Sequence, residues 1–75
     1  MAPAAWRDKK ALSLRDVAKM LGISANSVRH YERGIREAPT SVALKYEKIT
    51  DGEVTTEDLH AARRGFLRAQ TKVAA

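Results

Sequence analysis

The chain has 75 residues, enough for one small domain with a modest core. Its 14 Lys and Arg against 9 Asp and Glu give a formal charge of +5, which favours a polyanionic partner such as nucleic acid. There is no cysteine, so disulfides and thiolate metal sites are excluded, in keeping with a reducing cytoplasm, and no run of about 18 apolar residues is present to span a membrane.

The opening MAPAAWRDKK lacks the long apolar core of a signal peptide, and the end segments MAPAA and TKVAA are expected to fray. A first helix is expected over about residues 4–11, with Trp6 as its apolar anchor and Lys10 on the same face. Ser13 can cap a second helix with Asp16 as its acidic partner, and Leu14, Val17, Ala18 and Leu21 then share one face. Gly22 suits the left-handed residue that closes such a helix. Ser24 caps a third helix over residues 25–33, and Gly34 ends it. IREAPT is a loop, because a residue before proline disfavours helix.

Thr40 or Ser41 begins a fourth helix that runs to about Ile49, with Ala43, Tyr46 and Ile49 on one side and Leu44 beside them. TDGE is a turn, followed by a short extended piece at Glu53 and Val54, the one hint of strand. Thr55 or Thr56 caps a fifth helix, with Glu57 and Asp58 at its positive end and Arg63, Arg64 and Arg68 further along. The expected fold is therefore all-α: a single domain over residues 1–75, a compact bundle of about five short helices.

The second and third helices carry the functional signal. Gly-Ile-Ser between them demands a close crossing, which Ala18 permits by its size and Gly22 by its lack of Cβ. Ile23, Val28 and Tyr31 then point inward, and residues 14–33 read as a helix-turn-helix, whose second helix lies in the DNA major groove. With Val28 and Tyr31 inward, Asn26, Arg29, His30 and Arg33 form one outward polar stripe. On an arbitrary helix that stripe would be a solvated surface; within a helix-turn-helix frame it is a reading face. Asn pairs with adenine and Arg with guanine, each good pair giving about 1–3 kcal/mol of discrimination. Ala25, Asn26, Arg29 and His30 are the expected base contacts. Arg15, Ser24, Ser27, Arg33 and Arg36 are the expected phosphate contacts, the two serines lying where helix N–H groups and dipole favour an anion.

LSLRDVAKMLGISANSVRHYERG resembles the Cro/repressor-type helix-turn-helix domain. Its matching features are Leu12-Ser13, Ala18, Gly22, Ile23, Val28, the aromatic Tyr31 and Glu32-Arg33-Gly34. Past it, APTSVALKYEKITDGEVTTEDL is similar to the tail of small YdaS-like phage and prophage regulators, a group with antitoxin-like members. The resemblance covers roughly residues 12–59. It implies a double-stranded-DNA-binding transcription regulator or repressor, a homodimer on an inverted repeat, and base contacts at Ala25, Asn26, Arg29 and His30. Leu14 departs from the family, many members of which carry a polar residue there. VAKMLGISANSVRHYERGI also resembles MerR-type regulators and small excisionases, although REAPTSVALKYEK reads as loop then helix and lacks their β-wing. An antitoxin or adaptor acting through a partner protein, RNA polymerase included, is the alternative of another class.

Trp6, Tyr31, Tyr46 and Phe66 could stack on single strands, but their helical registers favour core packing. Glu32 reads as the partner of a nearby Arg or Lys, and His60 as a surface neighbour of Glu57. No phosphate loop, metal spacing or catalytic triad is present, so neither an enzyme nor a cofactor is expected. On the fifth helix Leu59 and Ala62 are expected in the core, and Phe66, Ala69 and Val73 at a dimer interface, while Arg63, Arg64, Arg68 and Lys72 could instead track DNA or a partner.

Overall fold

A computed structural model describes residues 1–74, with side chains through Thr71. It contains α1 (Pro3–Lys9), α2 (Leu14–Leu21), α3 (Ala25–Arg33), α4 (Thr40–Ile49) and α5 (Thr56–Ala74), and no strand among the described residues. Local chemistry sets the starts. Asp16 N–H donates to Ser13 Oγ at 3.0 Å, and Ser13 N–H donates to Asp16 Oδ2 at 2.9 Å, closing a capping box on α2. The Ser13 backbone N–H, donating to the charged carboxylate, is the main cause that holds Asp16 below its ordinary range. Thr55 and Asp58 repeat the device at the start of α5, with Asp58 N–H on Thr55 Oγ1 at 3.2 Å and Thr55 N–H on Asp58 Oδ2 at 2.9 Å. Ser24 caps α3 by accepting from Ser27 N–H.

The first four helices end alike. One residue turns left-handed, and the next N–H reaches back to a carbonyl five positions earlier. The left-handed residues are Ala11, Gly22, Gly34 and, after α4, Asp51 with Gly52 beside it, and the returning bonds are Leu12 to Arg7, Ile23 to Ala18, Ile35 to His30 and Gly52 to Glu47. Ala11 adopts φ 56° without the freedom of glycine. This closure stops α1 at Lys9, short of the expected end at Ala11. Pro3 stands in the first turn, where its missing N–H costs nothing, and is buried, so the amino end is held rather than frayed.

The core comprises Trp6, Val17, Ala18, Leu21, Val28, Val42, Ala43, Tyr46, Val54 and Leu59. Leu12, Leu14, Ile23, Ala25, Tyr31 and Ile49 pack at its edge, so Ile23 and Tyr31 point inward but are only half-buried. Two expectations fail. Leu44 is 57% exposed, because a helix that buries Ala43 and Tyr46 also buries Val42 and turns residue 44 to solvent. Glu53 and Val54 form a bend, not a strand. Thr50, buried at the end of α4, donates to the Tyr46 carbonyl at 2.6 Å and accepts from Val54 N–H at 3.0 Å, which seats Val54 fully in the core. Glu53 then faces α1, where it accepts from Trp6 Nε1 at 3.1 Å and pairs with Lys9.

At Gly34, α3 meets α5 backbone to backbone. A Cβ at this position would lie 2.1 Å from the Ala62 carbonyl oxygen, and φ is 73°. Gly34→Ala combines that overlap with left-handed strain, for an expected loss of about 3 kcal/mol; urea unfolding followed by circular dichroism reads it directly. Tyr46 presents the opposite case. Its ring is central to the core, but its hydroxyl is buried with no partner, and burial pushes the phenol pKa upward. Tyr46→Phe removes an unsatisfied polar atom and keeps the ring, so a gain of about 1 kcal/mol is expected. A loss of comparable size in the same unfolding measurement would show that the hydroxyl is satisfied.

Candidate nucleic-acid interface

The geometry of α3 is fixed at three places. At its amino end the bend at Gly22 lays α3 across α2, with Ala18 only 5% exposed and Val28 completely buried at the crossing. Lys45 of α4 donates to the Leu21 carbonyl at 3.2 Å, tying down the last turn of α2. Near the carboxyl end of α3, Arg7 of α1 grips Glu32 with two bonds, Nε to Oε2 at 2.7 Å and Nη2 to Oε1 at 3.2 Å. The Glu32 side chain is 7% exposed, so this fork is largely shielded from water, and it raises the Arg7 pKa. Arg7 Nη1 also donates to the Leu12 carbonyl. Beyond Gly34, Arg63 of α5 donates to the carbonyls of Gly34 and Ile35, both at 2.8 Å.

With those three holds in place, the outward face of α3 carries the predicted stripe. Asn26 and Arg33 are exposed, while Arg29 and His30 are half-buried. Arg29 donates to Asn26 Oδ1 through Nη2 at 2.8 Å and Nε at 3.3 Å. Its Nη2 also lies 3.4 Å from His30 Nε2, and His30 Nδ1 is buried without a partner. The structure therefore brings Asn26, Arg29 and His30 together as one bonded group. Ala25, at the first turn, packs partly against the core.

Ser24 Oγ donates to Ser27 Oγ at 2.9 Å while capping the helix, which leaves the Ser27 hydroxyl proton free to point outward. Arg15 is exposed on the first turn of α2, and Arg36 is exposed in the loop after α3. Leu14 is half-buried against the core, so its side chain is given to packing.

The remaining candidates divide. Trp6 and Tyr46 are core residues and have no free face on which a base could stack. Glu57 pairs with Arg64, not with His60; a complete pair of helical turns brings the guanidinium to the carboxylate. Arg63 holds the end of α3 and covers the Phe66 ring at 5.9 Å from its centroid. Phe66 is half-buried, and Leu67 and Ala69 are exposed; the side chains of Lys72 and Val73 lie outside the described residues. No helix among the described residues is long and apolar enough to cross a membrane.

Sequence reasoning missed Arg7, Lys45 and Arg63 as the residues that hold the motif. Each lies in an ordinary basic stretch, and its partner is 24 to 29 positions away, so only the fold reveals it.

Comparison with known proteins agrees with this geometry. A helix-turn-helix family model matches residues 4–56. A protein of Thermococcus kodakarensis, provisionally named an HTH-type transcriptional regulatory protein, is 38% identical over 45 residues. Those residues are 60% of this chain but 14% of that protein, so the chain corresponds to a small part of it. No solved structure matches the chain. The matched span runs from α1 to the start of α5 and takes in the bend, the Lys45 bond to the end of α2, and α3 with its Arg7 contact, and on that basis the chain belongs to the helix-turn-helix family of the Cro/repressor type.

Proposed function

We propose that the protein is a sequence-specific, double-stranded-DNA-binding transcription regulator. One observation carries this reading: α3 is anchored by α1, α2 and α5, yet its outward face is left with Asn26, Arg29, His30 and Arg33. Such a rigid, outward polar helix is suited to the major groove, where a wrong orientation by a fraction of a turn would lose every base contact. In this reading Ala25, Asn26, Arg29 and His30 approach bases. Arg15, Ser24, Ser27, Arg33 and Arg36 approach phosphates. The whole chain acts as a single DNA-binding domain of the YdaS-like phage and prophage branch, working in the cytoplasm on the nucleoid, with no enzymatic activity. It represses by excluding RNA polymerase or activates by touching it.

Two copies would bind half-sites about 34 Å apart. The distal part of α5 supports pairing, because Leu67 and Ala69 are exposed beyond the body that α3 and α4 cover and Phe66 is only half-buried. Phe66, Ala69 and Val73 are the proposed interface. The MerR-like alternative requires a β-wing, and the segment after α3 is loop and then α4.

In vitro selection of bound duplexes tests the central reading. A selected duplex is expected to outcompete random DNA at physiological salt; equal affinity for both would refute sequence-specific regulation. Arg29→Ala should relax preference at one position per half-site, at a cost of about 1–3 kcal/mol in discrimination. Arg36→Ala should instead weaken binding to all sequences alike and lower the salt slope by about 1. For the dimer, sedimentation is expected to show twice the 8.3 kDa chain mass, and the double substitution Phe66→Glu, Ala69→Glu should return it to one. Because Phe66→Glu also removes the ring that Arg63 covers, the mass change reports on the interface when circular dichroism shows wild-type helix content in the variant.

A further inference from the structure

Asn26 and Arg29 stand one helical turn apart on the face proposed to read DNA, and the two side chains are already bonded to each other. The chemistry of that bond decides what each can do. A guanidinium has five N–H donors and no acceptor, so Asn26 must turn its amide oxygen to Arg29. Oδ1 takes the Nε–H and the neighbouring Nη2–H, which together form the side edge of the guanidinium. The end edge, formed by one N–H from each of Nη1 and Nη2, remains for a ligand. Its spacing fits the O6 and N7 acceptors of guanine. His30 Nε2, 3.4 Å from Nη2, is at the limit of a hydrogen bond and can give way to the stronger acceptors.

The same bond removes Asn26 as an independent reader. Bidentate recognition of adenine needs the amide oxygen to accept from N6–H while the amide nitrogen donates to N7. That oxygen is already shared between two charged donors, and releasing it would free the Arg29 side chain to swing. Holding Arg29 in place before DNA arrives reduces the side-chain entropy lost on binding.

We infer that Asn26 is a positioning residue for Arg29, aiming its end edge at a guanine, and not a reader of adenine. This rests on the reading of α3 as the DNA-contacting helix and deepens it: the stripe recognises one guanine per half-site through a braced arginine.

Two measurements test it. The first uses the free protein: in nitrogen-15 NMR spectra, the Arg29 Nε–H should exchange slowly with water, and Asn26→Ala should speed that exchange several-fold. Equal exchange in both proteins would overturn the brace, with no reference to DNA. The second uses duplex selection. In Asn26→Ala the guanine preference at the Arg29 position should fall about tenfold, with no adenine position relaxing. Asn26→Asp keeps the acceptor oxygen and cannot donate to adenine N7, so it should preserve the guanine preference while lowering affinity for every sequence through its charge. Loss of an adenine preference in both variants, with the guanine preference intact, would overturn the inference. If the wild-type protein selects no sequence, the DNA reading itself fails, and the exchange measurement still decides whether Asn26 braces Arg29.

Discussion

At Gly34 the end of α3 and the middle of α5 touch so closely that a β-carbon would stand 2.1 Å from the Ala62 carbonyl oxygen. The outward face of α3 takes its position at the carboxyl end of the helix from that contact. It brings the next residue of α5, Arg63, within reach of two carbonyls at the end of α3 that no helical N–H can satisfy. It also directs α5 across the bundle, where Leu59 closes the core. The Arg7–Glu32 fork, two residues earlier, prevents α3 from rolling about that pivot. A shielded ion pair of this kind adds little net stability, because desolvation offsets much of its attraction. It does specify one arrangement, since a guanidinium and a carboxylate meet in a fork only at one mutual orientation.

Much of the architecture was legible in local chemistry. Ser13 with Asp16, Gly22, Ser24 and Gly34 are short-range signals, and they set the bounds of α2 and α3 at the residues expected. The apolar face of α2 follows from its spacing alone. What escaped is non-local. Val54 follows a turn and has no periodicity to mark it as core; its burial depends on the Thr50 hydroxyl folding the chain back. Leu44 reads as lying beside the apolar side of α4, yet the register of α4 turns it outward. Gly34 was read only as a helix stop. Its second role, as the one residue small enough for the α5 backbone, depends on a segment nearly thirty positions later.

The basic charge of the chain also divides once structure is known. Arg7, Lys45 and Arg63 are committed to carbonyls or to Glu32, while Lys9 and Arg64 face acidic neighbours on the same surface. The ion pairs already cancel within the +5 balance; what the structure adds is which cations are tied down, Lys45 and Arg63 being held at carbonyls. Arg15, Arg33 and Arg36 remain exposed around α3, and they are the cations a phosphate backbone could neutralise. Net charge was a correct pointer to partner class and a poor guide to which residues would meet it.

The bonded group on α3 carries that division to the level of recognition. Four neighbouring polar residues invite a reading in which each meets its own base. Asn26 accepts from both nitrogens of the Arg29 side edge, and in the inferred arrangement two nominal readers act as one, so the information content of the stripe falls. What is gained is rigidity. An arginine carries about 2 kcal/mol of rotamer entropy, and a side chain fixed by its neighbour forfeits less of it on contact. In the proposed reading, a small domain that reads few bases through a stiff donor would draw the rest of its specificity from the symmetry and spacing of two copies, and that is the weight the proposed pairing through the exposed end of α5 would carry.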